Sequence, residues 1–154
     1  MLKRKKFSQA ERDFIALRAH NCCEYCLILH DYSPDSFEIE HIISLFEDGT
    51  NDSLNLAFSC GGCNNRKRDK IKAIDPETQI ITSLFNPRID KWHEHFRWTD
   101  NFSIVEGITP QGRATVDFLK INRKGLVNLR KALFAYGVHP VLSQNTEGSL
   151  DVGF

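Results

Sequence analysis

The alternation of apolar and polar residues in FEIEHIIS, Phe37 to Ser44, predicts a half-buried strand that carries an unusual pair. Phe37, Ile39 and His41 fall on one face of this strand, and the residues between them fall on the other. Glu40 directly precedes His41, so the two side chains point to opposite sides. The next segment, EDGTNDS, contains an Asp-Gly turn dipeptide. The pattern therefore places a carboxylate and an imidazole at the end of a strand, just before a turn.

The same kind of pattern predicts helices on both sides of this strand. Ser8 and Glu11 have capping-box spacing, which favours a first helix from about Gln9 to His20. The later elements are expected in this order: strands at Phe37–Ile43 and Leu54–Ser59, a helix over NNRKRDKIKAI, a short helix or extended surface segment at Arg88–Phe96, a strand at Asn101–Val105, a helix from Pro110 to about Asn122, and a helix from Lys124 to Tyr136 with Gly137 as its C-cap. The tail after Val138 is expected to fray.

The predicted elements make an α+β protein of one domain. Residues 1–75 form its first part and residues 76–154 an extension packed on it. The apolar positions at helical spacing in the extension are expected to be core: Phe118, Leu119, Leu126, Leu129 and Leu133. A chain of 154 residues with 41% hydrophobic and 26% charged residues is typical of a globular domain.

Composition narrows the function less than the motifs do. No apolar run approaches a membrane span, and the basic N-terminus lacks the apolar region of a signal peptide, so a cytoplasmic protein is expected. The formal net charge of +0 argues neither for nor against nucleic acid, because the distribution of charge matters more than its sum. Basic residues cluster in three stretches: Lys3–Lys6, Arg66–Lys72 and Arg113–Arg130.

Four of the five cysteines form two CxxC pairs. They are Cys23, Cys26, Cys60 and Cys63. Two such pairs can close a tetrahedral structural zinc site, and the alternatives are a redox dithiol or buried thiols. Gly61 and Gly62 are expected to let the backbone turn tightly near the metal. Cys22 is expected to be an ordinary buried thiol that faces elsewhere.

Together these motifs resemble a known family. The segments CEYC, EHII, NLAF and CGGCNNRK occur in this order within Arg18–Lys70, and this order resembles the HNH endonucleases. The segments LFNPR, WHEHF and TPQGRATVDFL look like the C-terminal extension of stand-alone bacterial members, notably cyanobacterial ones. The resemblance implies a ββα-metal core stapled by a four-cysteine zinc site, followed by a mainly helical extension.

The resemblance also implies the roles of four polar residues. His41 matches the general base, and Asn55 the residue that holds this base in position. Glu40 and Asn64 match the ligands of a divalent ion, in a His-Asn-Asn form with Glu40 where Asp is commoner. Carboxylate and amide oxygens favour Mg²⁺ or Mn²⁺. Considered alone, Asn55 could be a turn residue and Asn64 a helix cap.

The helix after the second CxxC pair carries candidate contacts to phosphate. Lys67 matches the lysine of the family pattern, although a solvated surface lysine is the alternative. Arg66, Arg68 and Lys70 could extend the same patch.

His93 and His95 form a second polar pair. Two residues apart on a strand they would share a face, where they could bind a metal, and His95 could dock near the nuclease centre or contact DNA. The surrounding Trp92, Phe96 and Trp98 favour packing instead.

The function implied is metal-dependent hydrolysis of DNA, giving 5′-phosphate and 3′-hydroxyl ends, without a membrane or a small-molecule cofactor. A zinc-knuckle module that binds nucleic acid without cleaving it is one alternative, and an RNA-directed nuclease is another. The oligomeric state stays open.

Overall fold

A computed structural model describes residues 2–141, so the predicted fraying of the tail lies largely outside the described residues. The elements, in chain order, are α1 (Gln9–Arg18), β1 (Phe37–His41), β2 (Leu56–Cys60), α2 (Gly61–Lys67), β3 (Lys72–Ile74), β4 (Ile81–Ser83), α3 (Trp92–His95), β5 (Phe96–Thr99), β6 (Ile104–Gly107), α4 (Pro110–Phe118) and α5 (Lys124–Tyr136). Within this part of the chain, the strands form three antiparallel pairs, β1–β2, β3–β4 and β5–β6. The predicted α+β class is confirmed.

The helix ends follow their local sequence signals. Ser8 Oγ accepts a hydrogen bond from the backbone N–H of Glu11, and the Glu11 carboxylate accepts one from the N–H of Ser8, which completes the predicted capping box of α1. Thr109 caps α4 with Pro110 in its first turn. Gly137 ends α5 in the left-handed region at φ 89°.

The predicted helix over NNRKRDKIKAI is wrong at both ends. α2 begins earlier, with Cys60 as its N-cap, and ends at Lys67, because Arg68 has a φ of 52°. Lys72–Ile74 is a strand that pairs with Ile81–Ser83 across the turn that contains Pro76. A local helical pattern cannot include a strand partner that lies beyond a turn, and such a partner overrides helix propensity.

One hydrophobic cluster contains buried residues from both parts of the chain. It includes Tyr25, Leu27, Ile28 and Ile42 together with Phe85, Trp92, Leu119, Leu126 and Leu133. A second cluster lies between α1 and the β1–β2 hairpin and includes Phe7, Ile15, Ile39 and Leu56. The hairpin is therefore covered by α1 on one face and by α2 and the extension on the other.

Buried arginines join the extension to the hairpin. Arg130 is fully buried, and its Nη2 donates 3.0 Å hydrogen bonds to the carbonyl oxygens of Cys26 and Ile121. Arg88 forms a buried ion pair with Glu24, whose other carboxylate oxygen accepts a 2.9 Å hydrogen bond from Phe58 N. These contacts satisfy backbone groups that would otherwise be buried without partners. None of the helices within residues 2–141 combines the length and the apolar character that a membrane span requires.

Candidate nuclease site and metal centre

The β1–β2 hairpin has two chemically different ends. Its register places Phe37 opposite Cys60 at one end and His41 opposite Leu56 at the other. We call these the cysteine end and the cleft end. α2 follows β2 directly and lies against both strands. Residues three and four apart share a face of a helix, so one face of α2 carries Cys63 near the cysteine end and Lys67 near the cleft end.

The cysteine end gathers the four predicted ligands. The Sγ atoms of Cys23, Cys26, Cys60 and Cys63 lie within 4.8 Å of one another, and all four residues are buried. The Sγ atoms of Cys26 and Cys60 are 3.8 Å apart. Four sulfurs at the Zn–S distance of about 2.3 Å in a tetrahedron are separated by about 3.8 Å. The cluster therefore has the size of a tetrahedral metal site, and Cys22 lies outside it.

A four-thiolate site needs positive charge. Burial raises the pKa of the Cys23 and Cys26 thiols, so a bound cation is needed to keep all four sulfurs ionised. Arg123 adds positive charge from the extension: its Nη2 lies 3.5 Å from Cys60 Sγ, and its Nη1 lies 3.7 Å from Cys63 Sγ. Burial of Arg123 opposes its charge, but the neighbouring sulfurs outweigh that effect and raise its pKa.

The two glycines of the second CxxC pair allow neighbouring groups to approach α2 closely. The expected reason, a tight turn of the backbone, is not the one that the structure shows. Neither has a positive φ, and both lie in α2. A Cβ on Gly62 would lie 2.5 Å from Arg123 Nη2, and a Cβ on Gly61 would lie 3.1 Å from the carbonyl oxygen of Ser36. Gly62 therefore admits the arginine to the cysteine cluster.

The cleft end opens onto a cavity of about 630 Å³. Three of the four predicted catalytic and metal-binding residues line it: Glu40, His41 and Asn64. The N-terminal segment and the residue after α2 supply cations at the same cleft: Lys3, Arg4 and Arg68. A strand and a helix thus bring a carboxylate, an imidazole and an amide to one basic, open surface.

Glu40 is the most buried residue of this group, at 4% exposure. Lys67 Nζ lies 2.5 Å from Glu40 Oε1, and the Tyr25 hydroxyl donates a 2.6 Å hydrogen bond to Glu40 Oε2. Burial raises the pKa of Glu40, and the charge of Lys67 opposes that rise. The ion pair and the hydrogen bond hold the carboxylate in a fixed orientation at the wall of the cleft.

The predicted phosphate patch is divided by the fold. Lys67 is 1% exposed and also donates a 2.8 Å hydrogen bond to the carbonyl oxygen of Ile42, so the expected phosphate contact is wrong. The Lys67 ammonium is already bound to two buried partners, the Glu40 carboxylate and the Ile42 carbonyl oxygen. Arg68 lines the cleft, whereas Arg66 lines a different cavity and bonds to the carbonyl oxygen of Gly62. Lys70 is exposed beside Asp69.

Asn51, and not Asn55, contacts the ring of His41. Asn51 Oδ1 lies 2.9 Å from His41 Nε2. Asn55 hydrogen-bonds instead to both the N–H and the carbonyl oxygen of Ile43, at 2.9 Å each, and to the carbonyl oxygen of Thr50 at 2.8 Å. Asn55 therefore closes the loop that follows β1 and reaches the ring only through the backbone, and its role in holding His41 in position stays a prediction.

Asn64 reaches back to β1. Its Nδ2 donates a 2.9 Å hydrogen bond to Glu38 Oε2. Because this contact uses the amide nitrogen, the amide oxygen keeps its lone pairs for another partner. Asn64 lies inside α2, three residues after Gly61, so it does not act as the helix N-cap; Cys60 has that role.

His93 and His95 do not share a face. They lie on α3, where residues two apart diverge, so a metal pair on a strand is ruled out for these two. His95 Nδ1 lies 2.7 Å from Thr109 Oγ1, and His93 is exposed. Among residues 2–141, the four-cysteine cluster is the group of three or more His, Cys, Asp or Glu side chains placed to hold a metal.

Three residues that contact the predicted site residues were not predicted, because the sequence around them contains no recognisable motif for such a contact. Tyr25 lies inside the first CxxC pair, Asn51 inside a turn-forming loop, and Arg123 in a region distant along the chain. Nothing in their immediate neighbours marks them as partners of Glu40, His41 or the cysteines. Of these, Asn51 had the best available clue, because it follows the turn next to the predicted base.

A hairpin and a helix joined by a four-cysteine cluster, with a carboxylate, an imidazole and an amide at the other end, form the ββα arrangement that the sequence predicts. The family model described as HNH endonuclease matches residues 23–70. The match covers about a third of the 154 residues, and we call residues 23–70 the HNH domain after the model that matches them. Neither the curated proteins nor the solved structures gave a match.

Proposed function

We propose that the protein is a metal-dependent endonuclease that hydrolyses phosphodiester bonds of DNA to 5′-phosphate and 3′-hydroxyl ends. The observation that carries this proposal is that Glu40, His41 and Asn64 line one open cleft within the HNH domain. Basic side chains at the same cleft favour a polyanionic substrate. We keep as parts of the proposal a single domain with the extension packed on the core, a cytoplasmic location and no small-molecule cofactor.

His41 is the proposed general base. With Asn51 Oδ1 as an acceptor at Nε2, the neutral ring carries its proton on that nitrogen. Nδ1 is then the nitrogen that can accept a proton from a water molecule. A base fixed in one tautomer and one orientation suits the removal of a proton from the attacking water.

Glu40 and Asn64 are the proposed ligands of Mg²⁺ or Mn²⁺, whose oxygen preference fits this donor set. Each carboxylate oxygen has a second lone pair beyond its contact with Lys67 or Tyr25, and Asn64 keeps its amide oxygen. The chemistry supplied by a divalent ion at such a site is stabilisation of charge on the leaving oxygen.

The cysteine cluster is the proposed structural zinc site. Four buried thiolates leave no open position for a substrate or a water, as is typical of structural zinc. The cleft and the cluster would therefore hold separate metals with separate roles.

A nicking assay on supercoiled plasmid tests the catalytic proposal. We expect cleavage by the wild type with Mg²⁺ or Mn²⁺, none with EDTA, and none by His41→Ala. His93→Ala is the matched control, because it removes an exposed histidine outside the cleft, and it should cleave like the wild type. Equal cleavage by His41→Ala and the wild type would contradict the assignment of the base.

Two other functions give different results in the same experiment. A protein that retards DNA in a gel but never nicks it under any metal would be a nucleic-acid-binding module. Preferential cleavage of RNA when DNA and RNA compete would identify an RNA-directed nuclease. The joint presence of Glu40, His41 and Asn64 at one cleft favours cleavage over binding alone.

A further inference from the structure

The N-terminal segment, residues 2–6, forms part of the wall of the cleft. Leu2, Lys3 and Arg4 line the cavity with Glu40 and His41, although they lie far from them in sequence. The segment is exposed and has no regular secondary structure. We call it the basic arm.

Two anchors hold the basic arm against the HNH domain. Phe7, directly after the arm, is buried in the cluster beneath α1, and its ring centroid lies 6.2 Å from that of His41. At the other anchor, the carbonyl oxygen of Lys3 accepts a 3.0 Å hydrogen bond from Asn51 Nδ2. Both anchors use the backbone or an apolar ring, so neither of them engages a charged side chain of the arm.

The basic side chains of the arm differ in whether they form ion pairs. Lys5 forms an ion pair with Glu11 of α1. Within residues 2–141, no ion pair joins Lys3 or Arg4 to a carboxylate. Two cations that line an open cleft beside the proposed base suit the phosphates that flank a scissile bond.

Asn51 connects the arm to the base. Its Oδ1 contacts His41 Nε2 at 2.9 Å, while its Nδ2 contacts the carbonyl oxygen of Lys3 at 3.0 Å. Because a primary amide is planar, rotation of Asn51 would disturb both contacts together. The position of the arm and the orientation of the imidazole are therefore linked through one side chain.

Resting on the proposed function, we propose that the basic arm is a phosphate-binding strap of the cleft and that Asn51 is a positioning residue that links the strap to His41. Lys3 and Arg4 bind backbone phosphates of the nucleic acid substrate. Asn51 keeps Nδ1 of His41 directed to the reacting water while the arm is docked.

The phosphate contacts are tested by binding, independently of cleavage. All proteins are full-length and carry His41→Ala, and the probe is a DNA duplex of about 20 base pairs in fluorescence anisotropy at several salt concentrations. Lys3→Ala with Arg4→Ala should weaken binding roughly tenfold near physiological salt and make the salt dependence shallower by about two phosphate contacts. The matched control is Lys124→Ala with Lys131→Ala, which removes the same charge from exposed positions of α5; we expect a change of less than about threefold.

Equal weakening by the two double variants, or no weakening by the arm variant, would overturn the strap while the proposed nuclease function stands. A His41→Ala protein that binds no duplex at any salt concentration would instead overturn both. Repeating the measurement with an RNA duplex shows whether the arm binds DNA or RNA more tightly.

The link through Asn51 is tested on the rate of plasmid nicking. Asn51→Ala should lower kcat by up to about 100-fold, because the ring loses its fixed orientation. Asn51→Asp keeps an acceptor for His41 Nε2 but loses the donor to the Lys3 carbonyl oxygen, so it should restore part of the rate without restoring the docking of the arm. An unchanged rate in Asn51→Ala, or an Asn51→Asp protein as slow as Asn51→Ala, would overturn the positioning role.

Discussion

The cysteine end and the cleft end of the β1–β2 hairpin differ in how far neighbouring residues enclose their polar side chains. At the cysteine end, four buried sulfurs face one another, and Arg123 adds positive charge from outside. At the cleft end, Glu40 has Lys67 and Tyr25, yet His41 and Asn64 face an open cavity. The cysteine end encloses a space of the size of a metal ion, whereas the cleft end exposes possible ligand and base atoms of His41 and Asn64 to solvent.

Under the proposed function, this difference separates the part of the HNH domain that stabilises the hairpin from the part that reacts. A closed site can hold the ends of a hairpin at low conformational freedom but has no position for a substrate. An open site can react, but it needs neighbours that fix each side chain. α2 connects the two, because it follows Cys60 and ends at Lys67, which orients Glu40.

Loss of the metal from the cysteine end should have the largest effect. Cys63→Ser, or a strong chelator on the wild type, should remove one equivalent of zinc and lower the free energy of unfolding by several kcal/mol, because burial opposes free thiolates. Elemental analysis and thermal unfolding followed by circular dichroism measure the two effects. Cys22→Ala is the control, since Cys22 is buried outside the cluster. Equal loss of metal in the control would contradict the assignment of the ligands.

At the cleft end, Lys67→Met should be the most damaging substitution. It leaves Glu40 buried without its cation, and breaking a buried pair in this way costs about 3–5 kcal/mol. Arg66→Met, one residue earlier on the exposed side of α2, should change the free energy of unfolding by less than about 0.5 kcal/mol. Chemical denaturation of both variants is the measurement. Similar, small losses in the two would place Lys67 on the surface, contrary to the structure.

Asn55→Ala should have an intermediate effect on the cleft end. Its side chain makes three hydrogen bonds to the loop backbone at Ile43 and Thr50, so we expect a loss of about 2 kcal/mol. Hydrogen exchange should show faster exchange at the N–H of Ile43 and little change around the cysteine cluster. Faster exchange at both ends would mean that the hairpin does not separate them.

The smallest expected effect is a difference in stability between alanine substitutions at two helical glycines, Gly62 and Gly125. Gly62→Ala places a Cβ 2.5 Å from Arg123 Nη2, so the arginine must shift and the gain in helix propensity should be cancelled. Gly125→Ala meets nothing within 4 Å and should stabilise the protein by about 0.4–1 kcal/mol. Denaturation midpoints compare the two variants. A Gly62→Ala protein as stabilised as Gly125→Ala would show that Arg123 moves freely.

Much of the HNH domain was predictable from the sequence because its signals are local or lie at fixed spacings in the chain. The CxxC pairs, the alternation at Phe37–His41 and the capping box of Ser8 depend on neighbours a few residues away. The choice of four cysteines for the metal cluster followed from the same spacing. The fold class and the ends of α5 were likewise correct.

The partners of the polar side chains were not predictable in this way. Lys67 belongs to a basic run and was expected at the surface. It shares a face of α2 with Cys63, however, and is buried because that face lies against β1, where its Nζ donates to the Ile42 carbonyl oxygen. Asn55 and Asn51 occupy the same loop and are the same residue type, so only their positions in space decide which one meets His41. β3 was mistaken for helix because its partner strand lies beyond Pro76.

The sequence alone determined the residue types at each end of the hairpin: thiols that can hold a soft-ligand metal, and oxygen and nitrogen donors that suit a hydrolytic site. The tertiary structure decided which of these donors are exposed and which are consumed by partners. The physical reason is that spacing along the chain fixes the direction of a side chain relative to its own element. Its burial, charge partner and access to substrate depend on elements that arrive from elsewhere, such as the basic arm at the cleft and Arg123 at the cysteines.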